Sequence, residues 1–244
     1  MPVRFEQTLL EGNLIRRYKR FMADVELPDG SVVTAHCANS GSMATCKDPG
    51  QPVLLLPTDS PKRKLKYTWE LYHSGSCWVG VNTHRPNALV AEAIAAGSVP
   101  ELAGYAGMRR EVKYGRNSRI DILLEDPDKG PCHVEVKNCT LLAPDGMVRF
   151  PDAVTERGRK HLDELMELAA EGGRAVMFFL VNRTDGKGFG PADHIDPDYG
   201  KRLREAAEAG VELLAYRTSI TPEGMEVGTP EAVDLRPAHE LSPS

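Results

Sequence analysis

The sequence has no run of about eighteen apolar residues, the length a membrane-crossing helix needs. Its opening stretch, Met1 to Leu10, carries Arg4 and Glu6 where a signal peptide would be uniformly apolar, so the expectation is a cytoplasmic protein with no membrane partner. No C-x-x-C pair occurs. The five cysteines, Cys37, Cys46, Cys77, Cys132 and Cys139, are an odd set that supports neither a disulfide framework nor a zinc cluster, and they read as buried or incidental thiols. A helix-turn-helix of the usual kind is also missing, which disfavours sequence-specific DNA readout. Nor is there a surplus of positive charge: the net charge of −5 argues against indiscriminate polyanion binding. Its distribution is uneven, because residues 1–81 hold ten Lys/Arg against eight Asp/Glu while residues 82–244 hold twenty against twenty-seven.

What is present suffices for one large core or two modest ones, with 41% hydrophobic residues in 244. From Val3 to Val81 short β-type runs alternate with turn residues: Leu14 to Leu27, Ser31 to Cys37, Val53 to Leu56, Tyr67 to Leu71 and Cys77 to Val81. Several strands in about eighty residues suggest a small barrel, and a five-stranded OB-type barrel is one that fits. After Asn82 the texture changes. Ala88 to Ala96 reads as a helix stopped by Gly97, followed by strand-like segments at Arg110 to Tyr114, Ser118 to Leu124 and Cys132 to Leu141. A long helix is expected over Ala153 to Ala170, its apolar face made by Val154, Leu162, Leu165, Met166 and Ala169. Ala175 to Val181, Pro197 to Ala209 and Val211 to Tyr216 then read as strand, helix, strand, the texture of a mixed sheet with packed helices. The last twenty or so residues, rich in Pro and Glu, are expected to be irregular and partly mobile.

The chemistry concentrates in Asn117-Ser118-Arg119-Ile120-Asp121-Ile122-Leu123-Leu124 and Cys132-His133-Val134-Glu135-Val136-Lys137-Asn138. Alternation puts Ile120, Ile122 and Leu124 on one face and Asp121 on the other; in the second strand Val134 and Val136 share a face, leaving Glu135 and Lys137 together opposite. A hairpin pairing Leu124 with Cys132 would set Asp121 against Glu135, their Cβ atoms roughly 5 Å apart. Two such carboxylates repel unless a cation lies between them, and Mg²⁺ (or Mn²⁺) suits so sparse a ligand set. Lys137 could then hold an attacking water or stabilise charge on phosphoryl oxygens. A surface hairpin with solvated ion pairs is the bland alternative, and the E-x-K triplet alone would favour it. The strand-borne Asp at matching parity, the apolar back face and the long helix that follows tip the reading toward function.

Ser118-Arg119-Ile120-Asp121, Glu135-Val136-Lys137-Asn138, Phe150 to Gly158 and Asp193-His194-Ile195-Asp196-Pro197 resemble the sugar fermentation stimulation protein A family. So do Asn39-Ser40-Gly41-Ser42-Met43, Pro61 to Leu65, Tyr67-Thr68-Trp69-Glu70 and Val81-Asn82-Thr83, so the resemblance runs to about residue 217. It implies an α+β protein of two domains, an OB-like β-barrel over 1–81 that binds nucleic acid and a PD-(D/E)XK nuclease-like α/β domain over 82–244. It also implies DNA as partner and an effect on sugar-utilisation genes. On that signature Asp121 is the first acidic residue and Glu135 and Lys137 form the E-x-K pair, with Ile120 where the signature's name has proline. Asp121 and Glu135 are then the expected metal ligands, and with Lys137 the expected catalytic set of a magnesium-dependent deoxyribonuclease. The rival is a transcriptional regulator that keeps the nuclease fold without catalysis.

Further candidates carry weaker signals. Arg157 and His161, four apart on the long helix, could reach a scissile phosphate, although an exposed helix face explains them about as well. Glu92 and Glu111 could add a carboxylate, and His133 shares the face of Glu135. For DNA contact the runs Arg16-Arg17-Tyr18-Lys19-Arg20 and Lys62-Arg63-Lys64-Leu65-Lys66-Tyr67 interleave aromatics with positive charge, as a phosphate-tracking surface would. A strand edge guarded by cations is the competing explanation. The DNA expected is double-stranded and bound without strong sequence specificity; RNA and a homo-oligomer both stay open.

Overall fold

A computed structural model describes residues 3–114 and 118–237. Asn117, at the head of the first expected strand, and residues 238–244 of the expected irregular tail lie outside them. A short β1 (Val3–Arg4) precedes the strands of the N-terminal part: β2 (Leu10–Tyr18), β3 (Met22–Glu26), β4 (Val32–His36), β5 (Pro52–Pro57), β6 (Tyr67–His73) and β7 (Trp78–Gly80). Strands β4-β3-β2-β5-β6 are hydrogen-bonded in that order, and β4 also pairs in parallel with β6, which closes five strands into an OB-type barrel. Alternate residues fill it: Leu14, Ala23, Val25, Ala35, Val53, Leu55 and Trp69 are buried there, and the Trp69 indole N–H donates to the Leu71 carbonyl.

The expected single run from Leu14 to Leu27 is in fact the β2–β3 hairpin. Lys19, Arg20 and Phe21 form its turn, in which Lys19 and Arg20 take left-handed φ of 45° and 65°. Neither residue is Gly or Asn, so the turn carries no compositional mark. Residues 3–4 also leave the barrel region expected for 1–81, because β1 pairs with the last strand of the second sheet.

The C-terminal part contains α1 (Pro86–Ala95), a 3₁₀ turn at Pro100–Leu102, β8 (Gly107–Tyr114), β9 (Ser118–Glu125), β10 (Cys132–Cys139), β11 (Leu141–Leu142), β12 (Val148–Phe150) and α2 (Glu156–Ala170). It continues through β13 (Arg174–Val181), β14 (Phe189–Pro191), α3 (Pro197–Glu208), β15 (Glu212–Thr221) and β16 (Gly224–Glu231). A seven-stranded mixed sheet runs β1-β16-β15-β13-β10-β9-β8, parallel across β10-β13-β15 and antiparallel at both flanks. Strand β13 lies inside and is apolar on both faces: Val176, Phe178 and Leu180 join the core under α1, while Met177, Phe179 and Val181 join the core under α2 and α3. Among the described residues no helix is long and apolar enough to cross a membrane.

Three expectations shift here. Helix α1 starts at Pro86, which fits the first turn because its missing N–H has no partner to lose. Helix α2 starts at Glu156, after Thr155 caps it by accepting the Gly158 N–H at 3.0 Å, so Val154 is left outside and exposed rather than on the apolar face. The stretch expected to be irregular contains β16, whose Gly224 and Gly228 are needed because neighbouring backbone lies too close for a Cβ.

Candidate metal and nucleic-acid site

Strands β9 and β10 pair Leu124 with Cys132, Leu123 with His133 and Ile122 with Val134, the register expected from the hairpin. At the next step a side chain takes a backbone group: Asp121 Oδ2 accepts the Val136 N–H at 2.8 Å. The Asp121 Oδ1 atom accepts from Asn87 Nδ2 of α1 at 2.7 Å, and the same amide donates to Glu111 Oε1 at 3.1 Å. Glu111 lies on β8 between the pairs Arg110–Ile122 and Val112–Ile120, with φ of 54°. The strand rolls at this point. Ile122 and Leu124 pack into the core under α1, whereas Ile120 packs with Leu123 and Leu162 on the other side, so the three do not share a face as alternation predicts. Asp121 therefore meets the neighbouring strand.

On β10 alternation holds. Val134 and Val136 face the α1 core, and Glu135 and Lys137 turn toward α2. Lys137 Nζ donates to Glu135 Oε1 at 2.7 Å and lies 3.1 Å from His161 Nδ1, which also bonds Glu135 Oε1. Arg157 Nε donates to His161 Nε2 at 3.3 Å, an arrangement consistent with the ring proton on Nδ1, directed at Glu135. The geometry thus links Glu135, Lys137, His161 and Arg157. Glu135 Oε2 is buried with no hydrogen-bond partner.

The two carboxylates are driven apart in acidity. Burial, then the charge of Glu135, push Asp121 up to about 6 against the opposing pull of the Val136 N–H, Lys137 and Asn87. Burial pushes Glu135 up as well, but the charge of Lys137 and the bonds from His161 and Lys137 outweigh it and hold the carboxyl below its ordinary value. A buried carboxylate oxygen left bare beside a second carboxylate is what a hard cation would satisfy, and the oxygen-only pair suits Mg²⁺, which keeps most of its waters. Among the described residues no three His, Cys, Asp or Glu side chains form a metal-binding group.

Asn87, Lys137 and Arg157 of this site line a cleft of about 460 Å³ between the barrel and the C-terminal part, with Arg20, Asn39 and Gly41 also in its walls. Other candidates fall elsewhere. Glu92 is exposed on α1 and lines a small hollow with Val3 and Glu226, apart from Asp121. His133, two residues before Glu135, is half-buried and held below its ordinary acidity range by burial. In the first basic run, Arg16 pairs with Asp24 at 2.9 Å, and Lys19 and Arg20 are exposed at the hairpin tip. Arg17 instead gives its guanidinium to the carbonyls of Arg20, Asn39, Gly41 and Ser42, which fixes a barrel loop. In the second run Lys62, Arg63, Lys64 and Lys66 are exposed; Arg63 also bonds Thr68, and Lys66 the Ser60 carbonyl. Asn87 carries no local signal in the sequence, and Asp152 is marked only as part of the Phe150 to Gly158 segment.

Residues 15–81 match a domain family described as "SfsA N-terminal OB domain", and residues 84–224 one described as "Sugar fermentation stimulation protein RE domain". The chain is similar to a "Sugar fermentation stimulation protein homolog" of Acidithiobacillus ferrooxidans, 56% identical over 91% of this chain and 96% of that one. It is likewise similar to the Geobacter sulfurreducens homolog, 59% identical over 88% and 91% of the two chains. A solved structure of Pyrococcus furiosus SfsA in complex with Ca²⁺ superposes with a TM-score of 0.85 at 26% identity, covering 96% of this chain and 99% of that one.

Proposed function

The chain belongs to the sugar fermentation stimulation protein family, and from that premise we propose that it is a DNA-binding protein with a Mg²⁺- or Mn²⁺-dependent phosphodiesterase site. Asp121 and Glu135 hold the metal. The observation that carries this reading is Glu135 Oε2, a buried carboxylate oxygen with no partner, beside a second carboxylate raised by burial and then by its neighbour's charge. That the Pyrococcus furiosus relative was solved with Ca²⁺, another hard oxygen-seeking cation, supports the metal class. When bound, the ion would neutralise phosphate charge and make a water more acidic.

The protein's own groups do the rest. Asn87 and the Val136 N–H fix both oxygens of Asp121, so its carboxylate is oriented before any ligand arrives. His161 and Lys137 hold one oxygen of Glu135 and leave the other free for the cation. Lys137 lines the cleft and places a positive charge where phosphoryl oxygens gain negative charge, while Arg157 adds a second cation at the rim. Arg16, Lys19, Arg20 and the 62–66 run contact phosphates without reading bases, which gives binding with little sequence preference. Any effect on sugar-utilisation genes would follow from DNA binding of this kind.

Purified protein incubated with plasmid, linear duplex and single-stranded DNA in Mg²⁺ or Mn²⁺, beside Asp121→Ala, is the test. Metal-dependent cleavage that the variant loses supports the enzyme. DNA retention by both proteins with no cleavage at any metal concentration would favour a regulator that kept only the fold.

A further inference from the structure

Building on the phosphodiesterase reading, we infer that the cleft takes DNA as a single unpaired strand and does not admit an intact duplex. The first support is that its two rims are tied together. One rim is the barrel loop containing Asn39 to Met43; the other is the segment from Phe150 to Thr155 that leads into α2. Asp152 Oδ2 accepts the Met43 N–H at 3.0 Å and the Ser42 hydroxyl at 3.4 Å, which latches one to the other. Gly41 leaves room for that latch, since a Cβ there would stand under 3.0 Å from the Asp152 carboxylate. Behind the loop, Arg17 holds the Asn39, Gly41 and Ser42 carbonyls, and Thr83 bonds the Ala38 carbonyl. Lifting the rim would break several of these bonds at once, some of them charge-assisted. Lys137 thus lines a cleft of about 460 Å³ whose two rims are held to each other.

The second support is the lining. Cations from Arg20, Lys137 and Arg157 are interleaved with the apolar surfaces of Pro86, Phe150 and Val154. Val154 is 66% exposed, the most of any large hydrophobic side chain among the described residues, and it stands at this mouth. A duplex turns its base faces inward and offers phosphate and sugar outside. An unpaired strand presents both phosphates and base faces, and a groove that binds one offers both cations and flat or apolar contacts.

Calcium lets the test run without cleavage. Full-length protein in Ca²⁺ is titrated against a fluorescein-labelled single-stranded oligonucleotide, with the unlabelled strand and its blunt duplex as competitors. The single strand is expected to compete at roughly tenfold lower concentration, and Val154→Asp to weaken single-strand binding about tenfold while leaving duplex binding unchanged. In Mn²⁺ a forked substrate is expected to be cut only in its unpaired arms. Equal competition by strand and duplex, or nicking of a relaxed closed circle as fast as the single strand, would overturn the inference. Loss of all cleavage with the strand preference intact in Ca²⁺ would count against the phosphodiesterase reading and support this one.

Discussion

On the proposed reading, Lys137 is the residue whose replacement would separate holding a metal from using it. Its ammonium is half-buried, bonded to Glu135 Oε1 and directed into the cleft, whereas the two carboxylates keep their other supports from Asn87, the Val136 N–H and His161. Lys137→Met preserves length and apolar bulk. It should retain the rise in melting temperature that Mg²⁺ or Mn²⁺ gives the parent, while cleavage falls by about 10²–10³-fold, the usual effect of removing one preorganised charge from a phosphoryl or acyl transition state. Thermal scans with and without metal, paired with single-turnover cleavage, check this. Unchanged turnover would remove the lysine from the chemistry, and a lost metal response would make it a support of the carboxylates.

At the scale of elements, α2 matters because it carries both Arg157 and His161 to β10. Its start is set by Thr155, whose hydroxyl caps the Gly158 N–H, and by Asp196 of the α3 cap, which accepts the Thr155 N–H at 2.8 Å and pairs with Arg159. Thr155→Ala should cost about 1 kcal/mol, read as a fall of roughly 2–4 °C in melting temperature for a chain of this size. A cleavage loss beyond what that fall explains would show the cap positioning His161 as well. Much of this element level was legible in the sequence, because period-two alternation acts locally: Val134 and Val136 against Glu135 and Lys137 follow from it directly, and the Leu124–Cys132 register follows from one hairpin. Where a tertiary bond competes with the pleat, legibility stops. The roll at Asp121 comes from its bonds to Asn87 and the Val136 N–H, groups that strand periodicity cannot see, and the Lys19–Arg20 turn uses left-handed backbone without the usual glycine. Strand β16 looks like tail because Gly224, Gly228 and Pro230 interrupt it, yet pairing with β15 and β1 makes it strand.

At the scale of the molecule, the cleft exists only while barrel and C-terminal part stay together, and Arg183 is a main fastener. It is 1% exposed. From the end of β13 it donates to the Thr140 carbonyl at 2.7 Å and the barrel's Thr45 hydroxyl at 3.3 Å, and it forks onto Asp185 at 2.6 and 2.8 Å. Asp185 in turn accepts from Ser74, in the turn between β6 and β7, at 2.8 Å. Burial pushes the Asp185 carboxyl up, but the bonds from Arg183 and Ser74 outweigh it and bring it down to about 2 from 3.8. The group is thus more acidic folded than unfolded. Its contribution is complete above the unfolded value near 4 and disappears as pH falls through the folded value near 2. By linkage that contribution is at most about 2–3 kcal/mol before solvent screening lowers it, or at most roughly 5–10 °C of melting temperature. Asp185→Asn should therefore melt lower than the parent at pH 6, and the gap should narrow steadily between pH 4 and pH 2.5. A gap independent of pH over that range would mean that the ionised carboxylate is not what fastens the two parts, and that Arg183 holds them through the Thr140 and Thr45 bonds alone.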